Sequence, residues 1–303
     1  MVKILITRDL PDIGKTILKD FEVHQNKKNA LTKNELIEAV QLYDGILSTF
    51  LDFFDKDILK HATQLKVLSN WAVGTDNIDC AFAKEKNIVV HHLPDIVTIS
   101  TAEMTLALLL AIFKNVCPAN TFVKDGKWNK WDPTFFVGQE LHGKTLGIVG
   151  FGRIGLAVAK RALGFGMRVL FHKRTKIDVE HCKQVDLDTL LKSSDVVSLH
   201  MPLTKEARGM VDLDFLKKMQ PSATLLNLAR GAVINQNDLI FALKNRIIKQ
   251  AALDVTDPEP LGKHELANLD NVIITPHIGT ATIECRTQMT KKAAENLLAF
   301  FNV

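Results

Sequence analysis

At 303 residues the chain has room for about two domains. Its 47% hydrophobic and 24% charged residues make a globular profile and argue against extensive disorder. With 38 Lys+Arg against 34 Asp+Glu the formal charge is +4, too small and too evenly spread for a nucleic-acid binder: pairs such as Lys27 with Lys28 and Lys217 with Lys218 stand alone.

The opening MVKILITRDL reads as a strand carrying charges, without the apolar core and small-residue cleavage site of a leader. Short runs rich in Val, Ile and Leu predict strands over residues 2–7, 21–25, 45–50, 65–70 and 87–91, with helical patterns over 33–42 and 55–62. A longer apolar helix is expected over 100–114. Its longest apolar run, 104–113, is far short of a membrane span. An irregular segment with Trp128, Trp131 and Pro133 follows. Strands are then predicted over 146–150, 168–172, 196–200, 223–229, 251–255 and 271–275, and a last helix over 281–301. In that helix Met289, Ala293, Leu297 and Phe301 supply an apolar stripe.

Alternation of this kind predicts parallel sheets covered by helices on both faces. We expect an α/β protein of two doubly wound domains, one formed by 1–97 with 283–303 and the other by 98–282. Cys80, Cys117, Cys182 and Cys285 lie far apart with no CxxC spacing, so free thiols in a reducing cytoplasm are expected. His91, His92 and His172 end strands without partners at metal-ligand spacing. They read as structural, and no metal is expected.

Residues 146–155 read LGIVGFGRIG, a GxGxxG directly after a predicted strand and at the start of a helix. Gly150 makes the tight turn, Gly152 lets the backbone approach a pyrophosphate, and Gly155 lets the helix pack on the sheet. The helix N-terminus, opening on Arg153 and Ile154, offers unpaired N–H groups to the phosphates. The second domain is therefore expected to bind a dinucleotide. An NAD site calls for an acid at the end of the next strand, but RVLFH is followed by Lys173, Arg174, Thr175 and Lys176, and Asp178 lies past the strand end. Cations and a hydroxyl there attract a ribose phosphate, so NADPH is expected to be preferred over a still usable NADH, with Arg174 as the main contact.

Three later strands deliver polar residues at their C-terminal ends, where open α/β sheets bind ligands. The first leads into Arg230. The second carries Asp254, with Glu259 five residues on, and the third leads through Pro276 into His277. Hydride transfer to a 2-keto acid needs this kit. A guanidinium can grip carboxylate and carbonyl oxygens, and an imidazole can donate a proton to the incipient alkoxide. Glu259 bonded to the other ring nitrogen would fix the ring and keep it charged for reduction. Asp254 is better placed to meet the nicotinamide end of the cofactor.

GFGRIG, HMPLT (200–204), NLARG (227–231), ALDVTDPEP (252–260) and TPHIGT (275–280) resemble motifs of the D-isomer-specific 2-hydroxyacid dehydrogenases, and the similarity runs through essentially the whole chain. Further echoes are VGTDNID, LPDIVTISTAE and DGKWNKW. LPDIVT, LDVTDPEPL and the basic turn look most like glyoxylate/hydroxypyruvate reductases. The resemblance implies a flavodoxin-like substrate domain and a Rossmann dinucleotide domain, with an Arg230–Glu259–His277 catalytic set. It also implies N–H contacts from Val73 and Gly74 to the substrate carboxylate, in a cleft that closes between the domains. The motifs further imply cofactor contacts at Pro202, Leu228 and Gly279. The D stereochemistry and a homodimer with the helix near residue 100 in its interface follow from the resemblance alone. Met104 stands where many members have a histidine.

The expected reaction is NADPH-dependent reduction of glyoxylate or hydroxypyruvate, with no nucleic-acid or membrane partner. A formate or phosphite dehydrogenase on the same scaffold is a rival. Glu259 in place of an amide argues against the first, and a substrate loop WAVGTDN without lysine against the second. A non-catalytic dinucleotide sensor or co-repressor is the rival from another class, since fold does not fix function.

Overall fold

The computed structural model describes residues 1–302, which form two compact units. The first comprises Met1–Val97 and the segment from Ala281 onward, the second Thr98–Thr280. The later boundary thus falls at 280/281, two residues ahead of the expected 282/283 and just before the capping residue of the last helix.

In the first unit the chain alternates β1 (Lys3–Ile6), α1 (Ile13–Ile17), β2 (Glu22–Gln25), α2 (Lys33–Leu42), β3 (Gly45–Ser48), α3 (Lys56–Leu59), β4 (Val67–Asn70), α4 (Cys80–Glu85) and β5 (Val89–His91). All pairings are parallel, in the order β2-β1-β3-β4-β5, the flavodoxin-like winding. Helix α2 starts on a reciprocal cap: Glu35 N–H donates to Thr32 Oγ1 and Thr32 N–H to Glu35 Oε2. Its apolar stripe, Leu36, Ala39 and Val40, packs with Leu5, Ile46 and Leu68 of the sheet.

The second unit opens with α5 (Thr98–Phe113) and α6 (Val116–Lys124). It continues through β6 (Thr145–Val149), α7 (Arg153–Gly164), β7 (Arg168–His172), β8 (Cys182–Gln184), α8 (Leu187–Ser193), β9 (Val196–Leu199), α9 (Leu213–Lys218), β10 (Thr224–Asn227), α10 (Gln236–Lys244), β11 (Gln250–Leu253) and β12 (Val272–Ile274). Seven parallel strands run in the order β12-β11-β10-β9-β6-β7-β8, a Rossmann sheet extended by one strand. Side chains alternate between its faces. Val197, Leu199, Leu225 and Leu253 pack with α8, α9 and α10, whereas Leu146, Ile148, Val196 and Leu226 pack with α5 and α7.

Helix α11 (Ile283–Phe301) returns to the first unit, capped by Thr282. Met289, Ala293 and Leu297 are buried, Ser69 Oγ donates to Ala293 O at 2.9 Å, and a Cβ on Gly45 would meet Phe301 and Leu297.

Two elements depart from the sequence reading. The segment after α5, expected to be irregular, begins with α6. Pro118 falls in that helix's first turn, where a missing N–H costs nothing, and α6 buries no side chain, so no periodic stripe marks it. Strand β8 is a three-residue polar edge, CKQ, too short to show alternation. Among the described residues no disulfide joins the cysteines, and no single helix is long and apolar enough to cross a membrane.

Candidate active site

Because every strand of the second sheet is parallel, the loops after β6, β7, β9, β10, β11 and β12 gather at one edge. Gly150 ends β6 with φ +91, and a Cβ there would lie 2.6 Å from the Met201 amide nitrogen, so the turn requires glycine. A Cβ on Gly155 would sit 2.7 Å from Gly150 O, which shows how closely α7 seats on that turn. At Gly152, by contrast, nothing lies within 4 Å of the same position. Gly152 is also the N-cap of α7 and brings no capping side chain to its first-turn N–H groups. An open approach at a positive helix end fits a pyrophosphate. Arg153 is exposed there and Ile154 half-buried.

Beyond β7 the turn carries Lys173, half-buried, followed by exposed Arg174, Thr175 and Lys176. Asp178 is exposed further along the loop. The turn is tied from β8: Gln184 Nε2 donates to Lys173 O (2.8 Å) and Thr175 O (3.1 Å), while Ile177 N–H donates to Gln184 Oε1 (2.9 Å). On the loop after β9, Glu206 is held below the usual carboxylate range by hydrogen bonds from Thr204 and its own N–H, with Arg174 and Lys205 adding positive potential. Pro202 is exposed in the same loop, and Leu228 is buried in the turn after β10.

The loops after β10, β11 and β12 converge. His277 Nδ1 lies 2.7 Å from Glu259 Oε2, with both side chains about one-fifth exposed, and Glu259 Oε1 accepts the Thr256 N–H at 3.0 Å. Arg230 stands on the adjoining loop. Asn227, fully buried at the end of β10, accepts the Ala229 N–H and donates to Arg230 O. A Cβ on Gly231 would fall 1.9 Å from Thr256 O, so the loop bearing Arg230 packs directly against the loop bearing Glu259.

His277 has φ +53, a conformation costly for a non-glycine residue. The surrounding bonds over-determine it. His277 N–H donates to Asp254 O, and the Asp254 carboxylate accepts from Thr275 Oγ1 (2.6 Å), Ile278 N–H (2.9 Å) and Gly279 N–H (2.7 Å). Ser100 Oγ on α5 donates to Gly279 O. Asp254 is thus occupied with the loop that presents the imidazole, and Gly279 is anchored from both sides.

Val73 and Gly74 follow β4 in the first unit. Val73 O accepts from His92 Nδ1 (2.8 Å) and Gly74 O from Asn70 Nδ2 (2.9 Å). A trans peptide sets C=O and N–H on opposite sides, so the Gly74 N–H points away from His92. Trp71 is buried with Nε1 bonded to Thr290, a packing role, whereas Trp131 is 77% exposed. His172 Nδ1 bonds Val185 O. Among the described residues no three His, Cys, Asp or Glu side chains gather as a metal site.

Sequence reading passed over Asn227, Ser100 and Gln184. An Asn closing a strand before a turn is a side-chain-to-backbone signal that could have found the first. Nothing local marks the other two, whose partners lie on other elements.

Residues 106–279 match the D-isomer specific 2-hydroxyacid dehydrogenase, NAD binding domain family. The glyoxylate reductase of Thermococcus litoralis is 45% identical over 308 residues, covering 98% of this chain and 93% of the relative. A crystal structure of a Thermus thermophilus protein superposes with TM-score 0.95 at 43% identity, covering 99% of this chain and 97% of that one. The NADPH-dependent glyoxylate/hydroxypyruvate reductase of Sinorhizobium meliloti, solved with NADP and malonate, gives TM-score 0.88 at 27% identity over 99% and 93% of the two chains. With its nicotinamide-dinucleotide turn and near-full-length similarity, the chain belongs to the D-isomer-specific 2-hydroxyacid dehydrogenase family of enzymes.

Proposed function

We propose that this enzyme reduces small 2-keto acids, glyoxylate and hydroxypyruvate, to the corresponding 2-hydroxy acids, with NADPH preferred over NADH. The observation that carries the reading is the Glu259–His277 pair, with Arg230 on the abutting loop, at the same sheet edge as the dinucleotide turn. Bound at that turn, a reduced nicotinamide supplies a hydride to the keto carbon. His277 holds its Nδ1 proton toward Glu259 and gives its Nε2 proton to the carbonyl oxygen, so the imidazole ends neutral and the product carries a hydroxyl. Glu259 fixes the ring and offsets its charge before transfer. Arg230 grips carboxylate and carbonyl oxygens through its fork and stabilises the negative charge that develops. The Val73 and Gly74 N–H groups are proposed carboxylate contacts.

Cofactor preference rests on the turn after β7. An exposed Arg174, with Thr175 and Lys176 beside it and no carboxylate at the strand end, suits a 2′-phosphate better than a bare ribose hydroxyl. The NADPH-dependent relative supports the same choice. A homodimer with the helix near residue 100, α5, in its interface is proposed as well, and the apolar surface around the following α6 is proposed to extend that interface.

A panel of small 2-keto acids assayed with each cofactor tests the proposal. Glyoxylate or hydroxypyruvate turnover is expected with both, kcat/KM being at least about tenfold higher with NADPH, and Arg174→Ala is expected to erase most of that ratio. An NADH preference unaffected by Arg174→Ala removes the cofactor assignment. Tight dinucleotide binding without turnover on any keto acid favours a sensor instead.

A further inference from the structure

Within the basic turn, Lys173, Arg174, Thr175 and Lys176 are consecutive, and three of the four are exposed. Such a run of like charge on a surface loop repels itself and has no local reason to hold one geometry. Here it does, and the cause comes from another strand. Gln184, last residue of edge strand β8, pairs in register with Phe171 of β7, which brings its side chain beneath the turn. Its amide spends both donor and acceptor capacity there: Nε2 donates to the carbonyls of Lys173 and Thr175, and Oε1 accepts the Ile177 N–H. The three bonds span 173–177 and bracket Arg174. With the carbonyls of Lys173 and Thr175 drawn toward β8, the intervening peptides are fixed in orientation. The side chains of Arg174 and Thr175 are then presented from a set backbone rather than a mobile one.

We infer that Gln184 is a specificity-determining positioning residue, which preorganises the turn for the 2′-phosphate of NADPH without touching the phosphate. The inference rests on the proposed NADPH preference. Gln184 is itself neutral and adds no attraction. Its contribution is to remove the ordering cost that Arg174 and Thr175 would otherwise bear on binding. The effect therefore falls on ligands carrying the phosphate, and ligands lacking it lose little.

Binding of 2′,5′-ADP and of 5′-AMP, measured by calorimetry on wild type and Gln184→Met, separates this from a structural role. Methionine keeps the length and volume and removes all three bonds. Affinity for 2′,5′-ADP is expected to fall about fivefold or more, and that for 5′-AMP less than about twofold. Equal losses for both ligands, or none for either, overturn the inference. Wild type binding 2′,5′-ADP no tighter than 5′-AMP overturns the NADPH reading and the inference with it, whereas a wild-type preference that survives Gln184→Met overturns the clamp alone. Amide exchange in wild type gives a second arm that needs no variant. The Ile177 N–H is expected to exchange slowly, and exchange as fast as that of a free loop amide overturns the clamp.

Discussion

His277, the proposed proton donor, sits in a backbone conformation it does not favour. A φ of +53 costs on the order of 1 kcal/mol or more for a side chain with a Cβ, and the Asp254 carboxylate offsets this with three accepted bonds on the same loop. Glu259 fixes the ring through Nδ1 at 2.7 Å, so Nε2 is the nitrogen proposed to serve the substrate. His277→Ala removes the proposed proton donor but leaves the turn at Gly150 intact. Turnover is expected to drop about 10²- to 10⁴-fold while dinucleotide affinity survives. Arg230→Ala is expected to raise KM and lower kcat together, by about 10²-fold or more in kcat/KM, because the guanidinium is proposed to act on ground and transition states alike. Steady-state kinetics and cofactor titration on both variants measure this, and near-wild-type turnover in either one removes its assigned role.

At the scale of elements, the sheet tips were legible in the sequence because buried parallel strands are apolar runs that end abruptly in polar residues. Thus β10 predicts the site of Arg230 and β12 that of His277, and the glycine spacing of β6–α7 carries its own physical meaning. What was not legible is whatever depends on contacts between loops. The three bonds of Gln184 and the Gly231–Thr256 approach join a strand end or loop to a separate loop, whereas the Asn227 hinge under Arg230 is local and could have been read.

His200, just past the end of β9, is a different case, since its partner is only two residues away. Read as part of a motif, it proves to be a buried ring whose Nε2 bonds Ser198 Oγ at 2.8 Å and whose Nδ1 is buried without a partner. Burial lowers its imidazole from 6.5 to about 4. The unfolded chain therefore takes up a proton below about pH 6.5 that the folded chain refuses until about pH 4, so stability is full above 6.5 and declines as pH falls through that window. Between pH 7 and pH 5 this one group costs about 2 kcal/mol. Urea midpoints for wild type and His200→Asn at the two pH values are expected to show a smaller acid loss in the variant. Parallel losses would show that the ring does not bear this burden.

Over the whole molecule, the least accounted-for surface surrounds α6. This helix buries none of its residues, and the segment after it leaves Trp128 59%, Trp131 77% and Val137 72% exposed. Phe122, Phe135 and Phe136 meet edge to face and give the patch a rigid base. Scattered apolar side chains on a surface call for no explanation, but several exposed aromatic and aliphatic side chains within one stretch, beside a cluster of three phenylalanines, suit an association surface. A net charge of only +4 does little to keep two copies apart. The proposed occupant is therefore the same arm of a second copy, because an isologous contact buries the patch twice over. Light scattering is expected to give twice the chain mass at micromolar concentration. Trp131→Ser with Val137→Ser is expected to shift the population toward monomer without changing the far-ultraviolet spectrum, since neither side chain lies in a core. A wild-type protein that stays monomeric at high concentration, or a doubly substituted one that dimerises unchanged, would assign this surface to some other partner.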